Sequence, residues 1–249
     1  MGGLARRAGF IESKRTEAEK GVVRLFVAGP FELAAPDGGK VPAMRAPGAV
    51  ARAHAAMRYD AMLLTPADLA LVGDSAPKGL ARWTTAPMQA KGEILARSGL
   101  RIAFVRFPMP TGTDGRPTEQ QTREVVAEGF HLRGEADVVI GISPWGMSAE
   151  QAFLGHFSGS AQPFDVLLGG GAGPGHGGKM AAGGFTAWLR PYVQGKAVHV
   201  IRLENIPKRQ RQSQVKREVD VRFDVVSLDD KISADRVVDT LLAPARASN

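Results

Sequence analysis

Two hydrophobic periods take turns along the chain. Short β-rich runs alternate with stretches whose apolar residues recur three and four positions apart, the pattern of an α/β fold. Leu4–Glu19 reads as an amphipathic helix with Leu4, Ala8 and Ile11 on one face. A strand over Val22–Ala28 must end at Gly29-Pro30, because proline fixes φ and has no amide hydrogen to donate. The pattern then predicts helix over 48–57, a short buried strand over 61–64 and helix over 67–72. It goes on to a strand over 100–105, helix over 118–132, a fully buried strand over 136–142 and helix over 148–154. Phe164–Leu168 reads as a strand feeding a glycine-rich loop, Gly169–Gly178.

Past that loop the runs Thr186–Val193, Val198–Glu204 and Val219–Val226 follow one another without helices, which predicts an antiparallel meander. An amphipathic helix over Asp235–Leu242 closes the chain. With no internal repeat and no long linker, residues 1–243 are expected to form a single domain and 244–249 a flexible tail.

Composition removes several classes. Of the 249 residues, 44% are apolar and 23% charged, which argues against disorder, collagen and coiled coil. The absence of cysteine excludes disulfides, thiolate metal sites and a cysteine nucleophile. The net charge of +7, from 32 Lys and Arg against 25 Asp and Glu, favours anionic partners without naming one. No apolar run approaches the roughly 18 residues of a membrane span, and the segment from Met1 to Arg7 lacks a signal-peptide core, so no membrane association is expected.

Two segments look like chemistry. Gly173-Pro174-Gly175-His176-Gly177-Gly178-Lys179 fits the phosphate-cradling loop G-x-x-x-x-G-K after a strand, but Met180 stands where a magnesium-holding Ser or Thr belongs. The plain alternative is a surface loop. The basic segment Lys208-Arg209-Gln210-Arg211-Gln212 to Lys216-Arg217 lacks base-stacking aromatics and reads as a solvated hairpin tip, so nucleic acid is not the expected partner. The five histidines (54, 131, 156, 176 and 199) form no closely spaced metal-binding pair.

In order along the chain, Gly2–Ala8, Tyr59–Leu64, Ala136–Ser143, Phe164–Gly170, Gly195–Val198 and Val226–Ile232 resemble segments of the calcineurin-like metallophosphoesterase domain of the 5′-nucleotidase and UDP-sugar hydrolase family. The resemblance implies a four-layer α-β-β-α sandwich, two mixed sheets flanked by helices. It also implies a two-metal centre of Asp, Asn and His, whose positions here carry other residues. Gly29-Pro30 stands for Gly-Asp, Thr65-Pro66-Ala67-Asp68 for Gly-Asn-His-Glu/Asp, Pro144 for a single histidine and Gly170-Gly171-Ala172-Gly173 for Gly-His-x-His. Only Asp68 still matches.

The resemblance therefore implies a family member degenerate at its metal site, without metal or other cofactor, and with no catalytic residue. Such a chain acts as a binding or scaffolding module. An anion-binding loop of Gly170, Gly173, Gly175, His176 and Lys179 is the candidate site. The family's first strand, with its Asp-x-His, and its C-terminal domain are expected to lie outside this chain, leaving a sheet position that a partner protein could fill. The same resemblance implies a periplasmic or other extracytoplasmic place of action. Two alternatives stay open: an active phosphohydrolase using Asp68, His156 and His176 as replacement ligands, or binding of nucleic acid through Lys208, Arg209 and Arg211.

Overall fold

A computed structural model describes residues 3–17, 21–34, 47–72, 87–157, 161–192, 195–204, 206 and 220–246. The basic segment with Lys208, Arg209 and Arg211 lies outside the described residues, as does Val219. In chain order the elements are α1 (Leu4–Thr16), β1 (Val27–Ala28), α2 (Pro47–Ala56), β2 (Ala61–Met62), α3 (Pro66–Val72), β3 (Lys91–Arg97), β4 (Leu100–Arg106) and α4 (Glu119–Arg133). They continue with β5 (Val138–Ser143), α5 (Met147–Gly155), β6 (Val166–Gly169), β7 (His176–Ala181), β8 (Thr186–Arg190), β9 (Ala197–Leu203), β10 (Val221–Ser227) and α6 (Arg236–Arg246). The chain forms two compact units, Met1–Thr85 with Tyr192–Val198 and Val225–Asn249, and Ala86–Pro191 with His199–Asp224.

The first unit packs α1, α2 and α6 through Ala5, Ala8, Ile11, Ala53, Met57, Val238 and Leu242. Helix α6 runs on to Arg246, so residues 244–246 are helical. Beside these helices β1 and β2 pair in parallel, Val27 with Ala61 and Ala28 with Met62. The strand expected over Val22–Ala28 is thus only its last two residues. The Phe26 amide donates to the Asp60 carboxylate at 2.8 Å instead of to a neighbouring strand.

The second unit holds a six-stranded mixed sheet in the order β3-β4-β5-β6-β8-β7. Strands β4, β5, β6 and β8 run parallel, and the edge strands β3 and β7 are antiparallel to their neighbours. β5 is buried along its whole length, as its unbroken apolar run predicts. Helix α4 starts on a capping box in which Thr118 and Gln121 exchange side-chain and backbone hydrogen bonds. Phe107, Trp145, Phe153 and Phe164 gather under the sheet, and each such buried ring stabilises the fold by about 1.5–3 kcal/mol.

Three expectations need correction here. Thr186–Arg190 does not share a sheet with the two later runs: it lies between β6, to which it is parallel, and β7, to which it is antiparallel, while β9 and β10 pair in a separate two-stranded sheet. The glycine-rich loop is shorter than predicted, because His176–Gly178 already belongs to β7, which finds hydrogen-bonding partners on β8. Strand β3 has no counterpart among the predicted elements. Its signal is Ser98-Gly99, both at positive φ (51° and 81°), the two-residue turn that joins antiparallel strands.

Candidate functional site

The residues that the sequence singles out sit on loops at strand ends, and each loop is fastened from inside. In the first unit Thr65 and Asp68 close the start of α3. The Thr65 amide and hydroxyl both donate to Asp68 Oδ2 at 2.8 Å, the Asp68 amide donates to Thr65 Oγ1, and Pro66 takes the first helical position, where no amide hydrogen is needed. The Asp68 carboxylate is fully buried and reaches further, accepting the amides of Phe31 (3.1 Å), Leu33 (2.8 Å) and Ala34 (2.8 Å). Five donors therefore converge on one carboxylate. They hold the loop after Pro30 in a shape that includes a non-glycine residue in the left-handed region, Phe31 at φ 61°.

The same loop carries Glu32, which is ion-paired with Arg7 of α1 at 2.5 Å, with Tyr59 and His54 alongside. Burial opposes ionisation of Glu32, yet Arg7 beside it holds its carboxyl below the usual carboxylate range. Burial pushes the His54 imidazole down to about 4 and the Tyr59 hydroxyl up to about 12. Both His54 ring nitrogens are buried and, among the described residues, have no hydrogen-bond partner. This is a neutral imidazole packed against an ion pair.

In the second unit the loop from Gly169 to Pro174 closes around a guanidinium. Arg190, at the end of β8 and 2% exposed, donates from Nη1 to the Gly170 carbonyl and from Nη2 to those of Gly171 and Ala172, all at 2.9 Å, and from Nε to that of Pro174 at 3.1 Å. Its Nη1 also meets Glu150 Oε2 at 2.6 Å. Glu150, on α5, takes the Trp188 indole N–H on that oxygen and the Gly170 amide on the other. Burial pushes the Glu150 carboxyl up, against the pull of these three donors.

The loop is also zipped to the segment containing Pro144. The Gly146 amide donates to the Gly170 carbonyl and the Met147 amide to that of Ala172, at 2.9 and 2.8 Å. A Cβ at Gly171 would stand 2.5 Å from the Pro144 carbonyl oxygen, so only glycine lets the two backbones approach this closely. The glycines thus serve close packing, and the Gly170 amide already holds an anion, the protein's own Glu150. His176 and Lys179 stand apart from the loop on β7, against Trp188. Burial, and then the neighbouring cations Lys179 and Arg190, push the His176 imidazole down.

Solved structures share this arrangement of elements. The 5′-nucleotidase precursor of Thermus thermophilus superposes with a TM-score of 0.68 at 13% identity over 99% of this chain. This is the 5′-nucleotidase fold. The 5′-nucleotidase of Candida albicans matches over 98% of the chain (TM-score 0.59, 11% identity), and the NAD nucleotidase of Haemophilus influenzae over 81% (TM-score 0.56, 11% identity). The chain spans about half the length of these structures: 53%, 53% and 46% of them, in the order named. No protein-family model matches the sequence, and no curated protein matches it.

The mixed α/β class implied by the sequence resemblance is the class observed. At the positions where that resemblance implies metal ligands, Pro30, Pro66, Ala67, Pro144, Gly171 and Gly173 offer no side-chain donor, and Asp68 has its oxygens committed to five N–H and O–H groups. Of the proposed replacement ligands, His156 is exposed at the C-cap of α5 and His176 lies on β7. Among the described residues no group of three or more His, Asp or Glu side chains is placed to hold a metal ion. No described helix is long and apolar enough to cross a membrane. Sequence reasoning missed Glu150, Arg190 and the Arg7–Glu32 pair, whose buried polar contacts fasten both units.

Proposed function

We propose that this chain is a non-catalytic member of the 5′-nucleotidase-type metallophosphoesterases, a binding or scaffolding module that works without a metal. The carrying observation is Asp68. It is the one side chain at the ligand-matching positions able to coordinate an ion, and its lone pairs are spent on the backbone of residues 31–34 and on Thr65. A dinuclear centre needs several oxygen or nitrogen donors converging on open space, which proline, alanine and glycine cannot supply. The glycine-rich loop supports the same reading, since Arg190 and Glu150 fill its underside with a charge-balanced, fully bonded ion pair.

The test is hydrolysis of nitrophenyl phosphate and of nucleoside monophosphates with added manganese, zinc or cobalt. The expected result is no turnover above buffer with any of the three ions. Turnover that a chelator abolishes would contradict the reading.

A further inference from the structure

We propose that the β-bulge of β7 builds a site for a small oxyanion, held between the Lys179 ammonium and the His176 imidazole beside Trp188. This rests on the binding-module reading and deepens it by giving it a ligand class. In the register of the sheet His176 faces Arg190 and Lys179 faces Trp188, so three steps along β7 span only two along β8. Residues three apart on a regular strand point to opposite faces, and the one extra residue of the bulge returns Lys179 to the face of His176. The contacts agree. The His176 ring stands edge-on to Trp188 with centroids 4.7 Å apart, and Lys179 Nζ lies 4.7 Å from the centre of the same indole.

Two needs on this face are unmet. Both ring nitrogens of His176 are buried and, among the described residues, have no hydrogen-bond partner, a condition that native structures avoid or use. Lys179 is exposed and, among the described residues, its contact is with the indole ring and not with a carboxylate. Glu150, which meets Trp188 on this side of the sheet, is already shared by Arg190, Trp188 and Gly170. A phosphate or carboxylate group meets both needs at once: its oxygens accept from the ammonium and from an imidazole N–H, in the charge-assisted bonds that are shortest and strongest. Trp188 lies against both side chains and reports the binding.

The test is tryptophan fluorescence of the metal-free full chain titrated with sodium phosphate, with ionic strength held constant by sodium chloride. A saturable change is expected. Its dissociation constant should rise about tenfold in Lys179→Met and in His176→Leu, the loss of one charge-assisted bond each, and stay unchanged in Lys231→Met. Parallel titrations with sulfate and acetate tell a tetrahedral from a planar ligand. A signal that follows ionic strength alone, or an affinity that neither substitution alters, overturns the site. Hydrolysis is measured separately with added metal, so turnover there would sink the binding-module reading while this titration still decides the site.

Discussion

The two units fix a loop at the end of a strand by opposite means. In the first, the Asp68 carboxylate gathers backbone amides from residues 31, 33 and 34. In the second, the Arg190 guanidinium gathers backbone carbonyls from residues 170, 171, 172 and 174. The difference lies in how each charge is balanced. Among the described residues Asp68 is compensated by dipoles, five N–H and O–H groups aimed at two oxygens, in the manner of a helix cap extended to a second loop. Arg190 has a counter-ion, Glu150, and its other hydrogen bonds go to carbonyls. An anion clamp of this kind survives only if its donors stay in place, whereas an ion-pair clamp leaves a second buried charge behind when one member is lost.

That contrast sets the order of effects. Arg190→Met strands Glu150 in the core without its cation and frees four carbonyls, and should cost about 4 kcal/mol of unfolding free energy in urea denaturation. Changing both members, Arg190→Met with Glu150→Gln, should cost less than the single change. A double variant weaker than Arg190→Met would show that the pair itself, and not the stranded charge, carries the stability.

Asp68→Asn comes next. The amide keeps one acceptor oxygen but turns an NH2 group toward donors, so about 3 kcal/mol is expected, together with faster hydrogen exchange at the Leu33 and Ala34 amides. Unchanged exchange at those amides would mean that the loop after Pro30 holds its shape without the carboxylate.

A smaller effect gives the first unit a pH dependence. His54 has a folded pKa of about 4, below the ordinary value of 6.5, so the unfolded chain binds its proton more readily and acid destabilises the fold. The penalty is absent above pH 7 and grows as pH falls from 6.5 toward 4. Glu32, also held low, acts in the same direction. Between pH 7.5 and 5 the His54 contribution amounts to about 2 kcal/mol, and His54→Leu should remove that much of the slope. A slope that His54→Leu leaves intact would place the acid sensitivity elsewhere.

What could be read from the sequence depended on whether interacting residues are near in the chain. The helix over 67–72 follows from its local pattern and the strand-ending role of Gly29-Pro30 from proline chemistry, whereas the capping of that helix by Thr65 and Asp68 emerges only in the structure. The runs giving α4, β5, α5 and β6 are long and strongly patterned, and the structure places each within about two residues of the predicted bounds. Arg190 was opaque. It closes an apolar run as though exposed, and its counter-ion lies 40 residues earlier on a helix where a lone glutamate reads as surface. Long-range pairing also decided the fate of β8, whose sequence cannot say that β6 is its parallel partner. The glycines of 169–178 pointed to a phosphate cradle when their use, at Gly171, is to let two backbones touch.

On the proposed reading, in which Asp68 serves as a structural clamp and not as a ligand, the protein should carry no metal, and metal content decides the matter. The chain should be expressed with manganese and zinc in excess, purified without chelators, and analysed by inductively coupled plasma mass spectrometry. Far less than one ion per chain is predicted, with a thermal midpoint that EDTA leaves unmoved. One to two ions per chain, lost to EDTA together with several degrees of thermal stability, would contradict the clamp reading.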